Sequence, residues 1–238
     1  MGADVRASTS VSIEMWLTLI RHAEPAYVVD GISYTDPPLT ERGREQAILL
    51  AKRVSRWSID EIWVSGMVRA QQTAEPLVEA TGIEPQVMEW LNEIRNPPEW
   101  DGSPADEIEE FFATSQNRSV EEMWEGAPGG ESFRDFHKRI HSGIEETFAE
   151  RGITQTGDHH LWQGVDDRRV VIVAHGGTNA LIIGKLLGVE PTPWEWDRFT
   201  HVHSGVSRLL SQPTAGYYSW SLRALSDRSH LPPEMVTA

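Results

Sequence analysis

The 238-residue chain contains no cysteine. Disulfides, thiolate nucleophiles and cysteine-based zinc sites are thereby excluded together, and the composition fits a reducing, cytoplasmic setting. Positive charge is scarce: 21 Lys and Arg stand against 36 Asp and Glu, for a formal net charge of −15. That balance disfavours non-specific nucleic-acid binding and acidic membrane surfaces, so neither is expected as a partner. No apolar run approaches the ~20 residues of a membrane span. Residues 1–14, MGADVRASTSVSIE, lack the basic-then-apolar layout of a signal peptide and read as a flexible tail. What is present suffices for a folded domain. A chain of this length buries roughly 70% of its unfolded surface, and ten tryptophans with several apolar runs argue against disorder.

Trp16 to Ile20 is a short apolar run of the kind expected of a strand buried on both faces. Thr40 is placed to cap a helix in which Ala47, Leu50, Ala51 and Val54 recur at helical spacing. Ile62 to Val64 reads as a second strand, followed by a helix from Val68 to Gly82 and a further strand over Pro85 to Met88. Residues 92–130 are acidic and rich in Pro and Gly, and read as an excursion from the sheet with a short helix at Glu107 to Ala113. Phe133, Phe136, His137, Ile140, Ile144 and Phe148 form one helical stripe, and a polar loop follows. VVIVA at 170–174 is the strongest strand signal, with Gly176-Gly177 leading into a helix over Thr178 to Leu187 that Gly188 closes. Strands at Val206 to Leu210 and Tyr217 to Leu222 complete a domain over 15–225, leaving 226–238 as a flexible C-terminal tail.

Strands alternating with helices make an α/β sheet that is at least partly parallel, and such sheets bind ligands beyond the carboxyl ends of their strands. Arg21, His22, Arg69 and His175 each fall just past a predicted strand, so all can converge on one sheet edge. Two arginines and two histidines suit a tetrahedral anion: a guanidinium grips two phosphate oxygens and stays charged, and a neutral imidazole nitrogen is a competent nucleophile. Gly176-Gly177 at a helix start adds backbone N–H groups and the positive end of a helix dipole. The set points to phosphoryl chemistry.

Arg21-His22-Ala23-Glu24-Pro25 resembles the signature of the histidine phosphatase superfamily, the phosphoglycerate-mutase-like proteins. The resemblance continues in Pro38 to Gly43 with Gln46-Ala47, in Ser65 through Arg69 to Ala74, and in Leu91-Asn92-Glu93. Gly129 to Phe133 and Val173 to Gly177 complete it. It implies a three-layer α/β/α sandwich with a central, mostly parallel sheet, and a two-step mechanism without metal or organic cofactor. His22 would take the phosphoryl group, Arg21, Arg69, His175 and Gly176 would hold its oxygens, and Glu93 would serve as acid and then base. The first role of Glu93 needs a neutral carboxyl, which partial burial can favour.

Several positions depart from the family pattern. Ala23 replaces the usual Gly, Val28 stands where an Asn often helps bind phosphate, and Thr178-Asn179 where an aliphatic residue and Arg are common. Pro97-Pro98 disturbs the segment after Glu93, leaving Glu99, Asp101 and Glu131 as alternative proton donors. Ile94-Arg95-Asn96-Pro97 follows where the mutases of the family continue Arg-His-Tyr-Gly, which favours hydrolysis. The expected function is therefore hydrolysis of a small phosphomonoester through a phosphohistidine. A mutase and a non-catalytic phosphate-binding protein are the alternatives. His137 and His141 share a helix face at a metal-binding spacing, but His137 lies on the apolar stripe and packing is the better reading. His201 and His203 precede a late strand, within sequence reach of the pocket rim but on no matching motif. Tryptophans 90, 100, 124, 194 and 196 either line a pocket or seal the loops. The oligomeric state stays open, a homodimer included.

Overall fold

Apolar runs bounded by glycine turns set the strands, and the stripes between them set the helices. The computed structural model describes residues 13–115, 117–157 and 159–238. In chain order the strands are β1 (Trp16–Arg21), β2 (Val28–Val29), β3 (Ile32–Ser33), β4 (Glu61–Ser65) and β5 (Gln86–Met88), then β6 (Thr154–Thr156), β7 (Leu161–Gln163), β8 (Arg169–Ala174), β9 (Val206–Thr214) and β10 (Tyr217–Asp227). The helices are α1 (Glu41–Val54), α2 (Val68–Thr81), α3 (Ala105–Ser115), α4 (Val120–Glu125), α5 (Phe133–Ala149), α6 (Gly176–Leu187) and α7 (Glu195–Arg198).

Eight strands form one sheet in the order β5-β4-β8-β1-β9-β10-β7-β6. The pairings β5-β4, β4-β8 and β8-β1 are parallel; from β1 outward each neighbour is antiparallel, so only β9 and β7 run against the rest. Alternating side chains divide the core. Leu17, Leu19, Val170 and Ile172 face α5 and α6. Ile20, Val171 and Val173 face α1 and α2. The α/β/α layering is thus the one implied by the sequence resemblance.

The polar loop expected over 152–168 instead carries the β6–β7 hairpin, because Trp162 buries its ring against Phe148 and β7 adds to the sheet edge at Tyr218. The excursion holds two helices, α3 being longer than expected and α4 opening with a Ser119–Glu122 capping box. The predicted C-terminal tail is a correction. Leu231 is buried, and Gln46 Nε2 donates to the Met235 carbonyl at 2.7 Å and to Thr237 Oγ1 at 3.0 Å. The His203 N–H donates to the Thr237 carbonyl at 3.0 Å. A polar segment reads as solvated when its partners, here Gln46 and His203, lie far away in sequence. The N-terminal tail expected over 1–14 lies, save Ile13 and Glu14, outside the described residues. No helix among the described residues is long and apolar enough to cross a membrane.

Candidate active site

Parallel strands β4, β8 and β1 end side by side, with Ile20 opposite Val173 and Val173 opposite Val64 in register. This register delivers Ser65, His175, Arg21 and His22 to one edge. The loop beyond His22 is fixed by α1: Glu24 N–H donates to Gln46 Oε1 at 2.8 Å, and Thr40 N–H donates to the Glu24 carbonyl at 3.0 Å. Gly43 permits this approach, since a Cβ there would sit 2.1 Å from the Glu24 oxygen. Ala23 is wholly buried, its N–H donating to Thr73 Oγ1 at 2.9 Å, so the methyl in place of glycine is accommodated.

His22 is 1% exposed, its ring centroid 5.2 Å from that of His175 and 5.5 Å from that of His203. Its Nδ1 lies 2.8 Å from the Ala23 carbonyl, which can only accept, so Nδ1 carries the proton and Nε2 keeps its lone pair. Tyr27 Oη stands 3.4 Å from that Nε2. Burial, then the charges of Arg69, His175 and Arg21, hold the His22 pKa well below 6.5. The ring is therefore neutral at neutral pH, as a nucleophile requires.

The tautomer of His175 follows from a chain of bonds. Asn92 Nδ2 donates to Glu89 Oε2 at 2.8 Å, which turns Asn92 Oδ1 toward Ser65. The Ser65 hydroxyl donates to that oxygen at 2.7 Å and so must accept from His175 Nε2 at 2.8 Å. The buried His175 Nδ1 has no partner. Burial first, then Arg69, Arg21 and Arg139, push the His175 pKa well below 6.5.

Arg69 sits near the start of α2, 3% exposed, and donates to the Thr35 carbonyl at 3.1 Å and Asp36 Oδ1 at 3.2 Å. Arg21 donates to the His201 carbonyl at 2.5 Å. The Nε atoms of both arginines and Nε2 of His203 are buried without partners, as is Nδ1 of His175. Buried polar groups are ordinarily satisfied, so two unpartnered guanidinium donors beside two unpartnered imidazole nitrogens single out this edge as a candidate anion site.

Glu93 reaches the same edge. Its Oε2 accepts from the Gly177 N–H at 2.9 Å, at the opening of α6, and its Oε1 accepts from the Ile94 N–H at 3.1 Å. A Cβ on Gly177 would lie 2.6 Å from Glu93 Oε1, whereas one on Gly176 would meet nothing nearer than Arg21 Nε at 3.6 Å. Two of the alternative carboxylates have partners of their own. Glu131 is gripped by Arg139 through Nε at 2.8 Å and Nη2 at 2.6 Å, and Asp101 accepts from Thr35 N–H at 2.9 Å. Glu99 packs near Gly129. Arg139 also donates to the carbonyls of Trp90 at 3.0 Å and Asn92 at 2.9 Å, holding the backbone that presents Glu93.

Sequence reasoning passed over Tyr27, Arg139 and the Ser65–Asn92–Glu89 chain, and ranked His203 low. Only Ser65, Asn92 and Glu131 lay in matching motifs that could have pointed to them. His137 Nε2 bonds the Thr192 carbonyl at 3.1 Å and packs on Trp124, in keeping with a packing role. Among the described residues no group of three or more His, Asp or Glu is arranged to hold a metal ion. Val28, in place of the family's Asn, is half-exposed at the rim of a cavity of about 650 Å³ that opens beside Arg69 and Glu93. Trp100 lines that cavity and Trp196 a smaller one, while Trp90 packs on Gly143.

Known proteins share this arrangement of elements. Phosphoserine phosphatase 1 of Hydrogenobacter thermophilus is 32% identical over 177 residues, 73% of this chain and 77% of its own. A Salmonella choleraesuis protein named "Probable phosphoglycerate mutase GpmB" is 25% identical over 90% of this chain and 93% of its own. The solved mycobacterial glucosyl-3-phosphoglycerate phosphatase superposes with a TM-score of 0.68 at 25% identity, covering 90% of this chain and all of that one. The family model for the histidine phosphatase superfamily (branch 1) matches residues 17–221, and the chain belongs to that family.

Proposed function

We propose that the protein is a cofactor-independent phosphatase that hydrolyses a small phosphomonoester through phospho-His22. The observation that carries this reading is the His22 ring. Its Nδ1 is tied to the Ala23 carbonyl, its Nε2 keeps the lone pair with the Tyr27 hydroxyl at a long 3.4 Å, and Arg21, Arg69 and His175 surround it. In the first step His22 Nε2 forms a bond to phosphorus while the ester P–O bond breaks. Glu93 delivers its proton to the departing alcohol oxygen. Arg21, Arg69 and the Gly176 N–H stabilise the charge spread over the phosphoryl oxygens, and His175 joins them through a proton shared between its Nδ1 and one of those oxygens. In the second step Glu93, now ionised, takes a proton from water as it attacks phosphorus. The N–P bond breaks and phosphate leaves.

The phosphatase names among similar proteins support hydrolysis, and so does Ile94-Arg95-Asn96-Pro97 after Glu93. The mutase reading is favoured by the likeness to GpmB and differs in outcome: the phosphoryl group returns to a second hydroxyl of the substrate. The test is incubation with a panel of phosphomonoesters, following free phosphate and positional isomers, with His22→Ala as the blank. A 32P-labelled, acid-labile adduct that His22→Ala abolishes, together with phosphate release, is expected. Isomer formation without phosphate release makes it a mutase, and the absence of both adduct and turnover leaves a phosphate-binding protein.

A further inference from the structure

We infer that the alcohol released by this site is an uncharged, ring-bearing group, held against a wall formed by Trp100 and Phe112. The inference rests on the phosphatase reading and deepens it. A leaving group that takes its proton from Glu93 must lie on the Glu93 side of the anion site. There lies the cavity of about 650 Å³ that Arg69, Asn92 and Glu93 help to line. Cavities of ~300–1,000 Å³ enclose ligands far larger than a three-carbon acid.

Apolar and polar side chains share the walls: Tyr27, Tyr34, Ile94, Trp100, Ile108 and Phe112 line the cavity together with Thr35, Asn92, Arg95 and Asn96. Trp100 is held edge-on by Phe111, at 5.1 Å between ring centroids, and by Phe112, at 5.6 Å. Such T-shaped contacts fix an indole without covering both of its faces. Three of the chain's exposed large apolar side chains gather at this one cavity: Val28 at 50%, Tyr34 at 40% and Phe112 at 56%. Scattered exposed apolar residues need no explanation, but a cluster around a pocket marks a binding surface. A second, smaller cavity of about 130 Å³ shares Ile94, Trp100 and Phe112, and continues the apolar lining to Phe133 and Trp196.

The charges work against an acidic leaving group. Beyond the anion site the cavity presents Asp36, Glu93 and Glu109, with the exposed Arg95 as the further cation. Asp36 already accepts from Arg69 and from the Val68 N–H at 3.1 Å. With Asp36 and Glu93 already bonded, a substrate carboxylate would meet Glu109 and one solvent-screened guanidinium, Arg95, an arrangement that disfavours phosphoglycerates.

The test uses alkyl phosphates of matched leaving-group basicity, so that intrinsic reactivity does not imitate recognition. The full chain is assayed on 2-(2-naphthyl)ethyl phosphate, 2-phenylethyl phosphate, glycerol 1-phosphate and 3-phosphoglycerate. The expected order of kcat/KM follows that sequence, with the naphthyl ester exceeding glycerol 1-phosphate by about tenfold or more. Trp100→Ala should bring that ratio close to one. Phe112→Ser, at an exposed position where folding is not at stake, should reduce it. Equal or better turnover of glycerol 1-phosphate or 3-phosphoglycerate overturns the inference while leaving the phosphatase reading intact. No turnover of any ester above the His22→Ala blank overturns both.

Discussion

His175 donates its Nε2 proton to Ser65 at 2.8 Å, and that bond decides which ring nitrogen is left without a partner. Because Ser65 has given its own proton to Asn92, the neutral ring turns a lone pair at Nδ1 toward its unpartnered, buried side. A phosphate oxygen can approach that nitrogen only if a proton lies between them. The proton arrives either on the ring or on the phosphate. In both cases binding of the dianion at high pH is coupled to uptake of one proton, so phosphate inhibition should weaken about tenfold per pH unit above the second phosphate ionisation. Ser65→Ala frees the ring to adopt the Nδ1–H tautomer, and its inhibition should depend less on pH. Inhibition constants for inorganic phosphate between about pH 6 and pH 9 check this, and a flat wild-type profile is incompatible with it.

Gly176 and Gly177 should respond oppositely to alanine. A methyl at Gly177 drives into the Glu93 carboxylate at 2.6 Å, whereas at Gly176 it makes ordinary contact with Arg21. Gly177→Ala is expected to lower kcat by roughly 10²-fold or more, the order associated with losing general acid–base catalysis. Gly176→Ala should keep activity and gain a few tenths to about 1 kcal/mol of stability from helix propensity. Steady-state kinetics and thermal melts of the two variants separate these outcomes.

Arg139 holds Glu93 from behind without touching the anion site. Its guanidinium joins Glu131 to the carbonyls of Trp90 and Asn92, with Arg139 15% and Glu131 6% exposed at the side chain. Arg139→Met strands the Glu131 charge and should destabilise the fold by about 3–5 kcal/mol. Pairing it with Glu131→Met removes the stranded charge and should recover much of that stability. The kcat should stay low in both, because the Glu93 backbone is still unrestrained. Recovery of kcat along with stability in the double variant would assign Arg139 a purely structural part.

Stability should decline on mild acidification. Burial holds the folded-state pKa of His22 and His175 well below 6.5, that of His201 at about 4 and that of His203 at about 3. Unfolding returns these rings to ordinary values near 6.5, so between about pH 6.5 and pH 4 the unfolded chain binds more protons than the native one. Their contribution is complete above the unfolded pKa and is lost as pH falls toward the folded values. Each ring adds a slope approaching ~1.4 kcal/mol per pH unit in that window. Melting temperatures measured from pH 7.5 down to pH 5 should fall steadily, and a level profile would contradict the buried, neutral state of these rings.

Much of this protein was decided by local pattern. The apolar runs at 16–20 and 170–174 carry the pattern of buried strands, and residues that directly follow parallel strands emerge at one sheet edge. Arg21, His22 and His175 therefore meet by strand register, and the glycines after His175 open the helix that receives Glu93. Other parts depended on partners far apart in sequence. Which of Glu93, Glu99, Asp101 and Glu131 reaches the strand edge was not legible in the sequence; in the structure Glu93 bonds the Gly177 N–H there, while Arg139 holds Glu131 and Thr35 bonds Asp101. His203 entered the cluster, and a polar C-terminus became packed structure, because long-range hydrogen bonds to Thr237 and Gln46 satisfied groups that composition alone assigns to water. Periodicity and punctuation determine where strands and helices run, since those are short-range steric and burial effects. Which polar side chains are paired with one another, and which are left free for an anion, is a property of contacts between distant segments and was decided only by the tertiary structure.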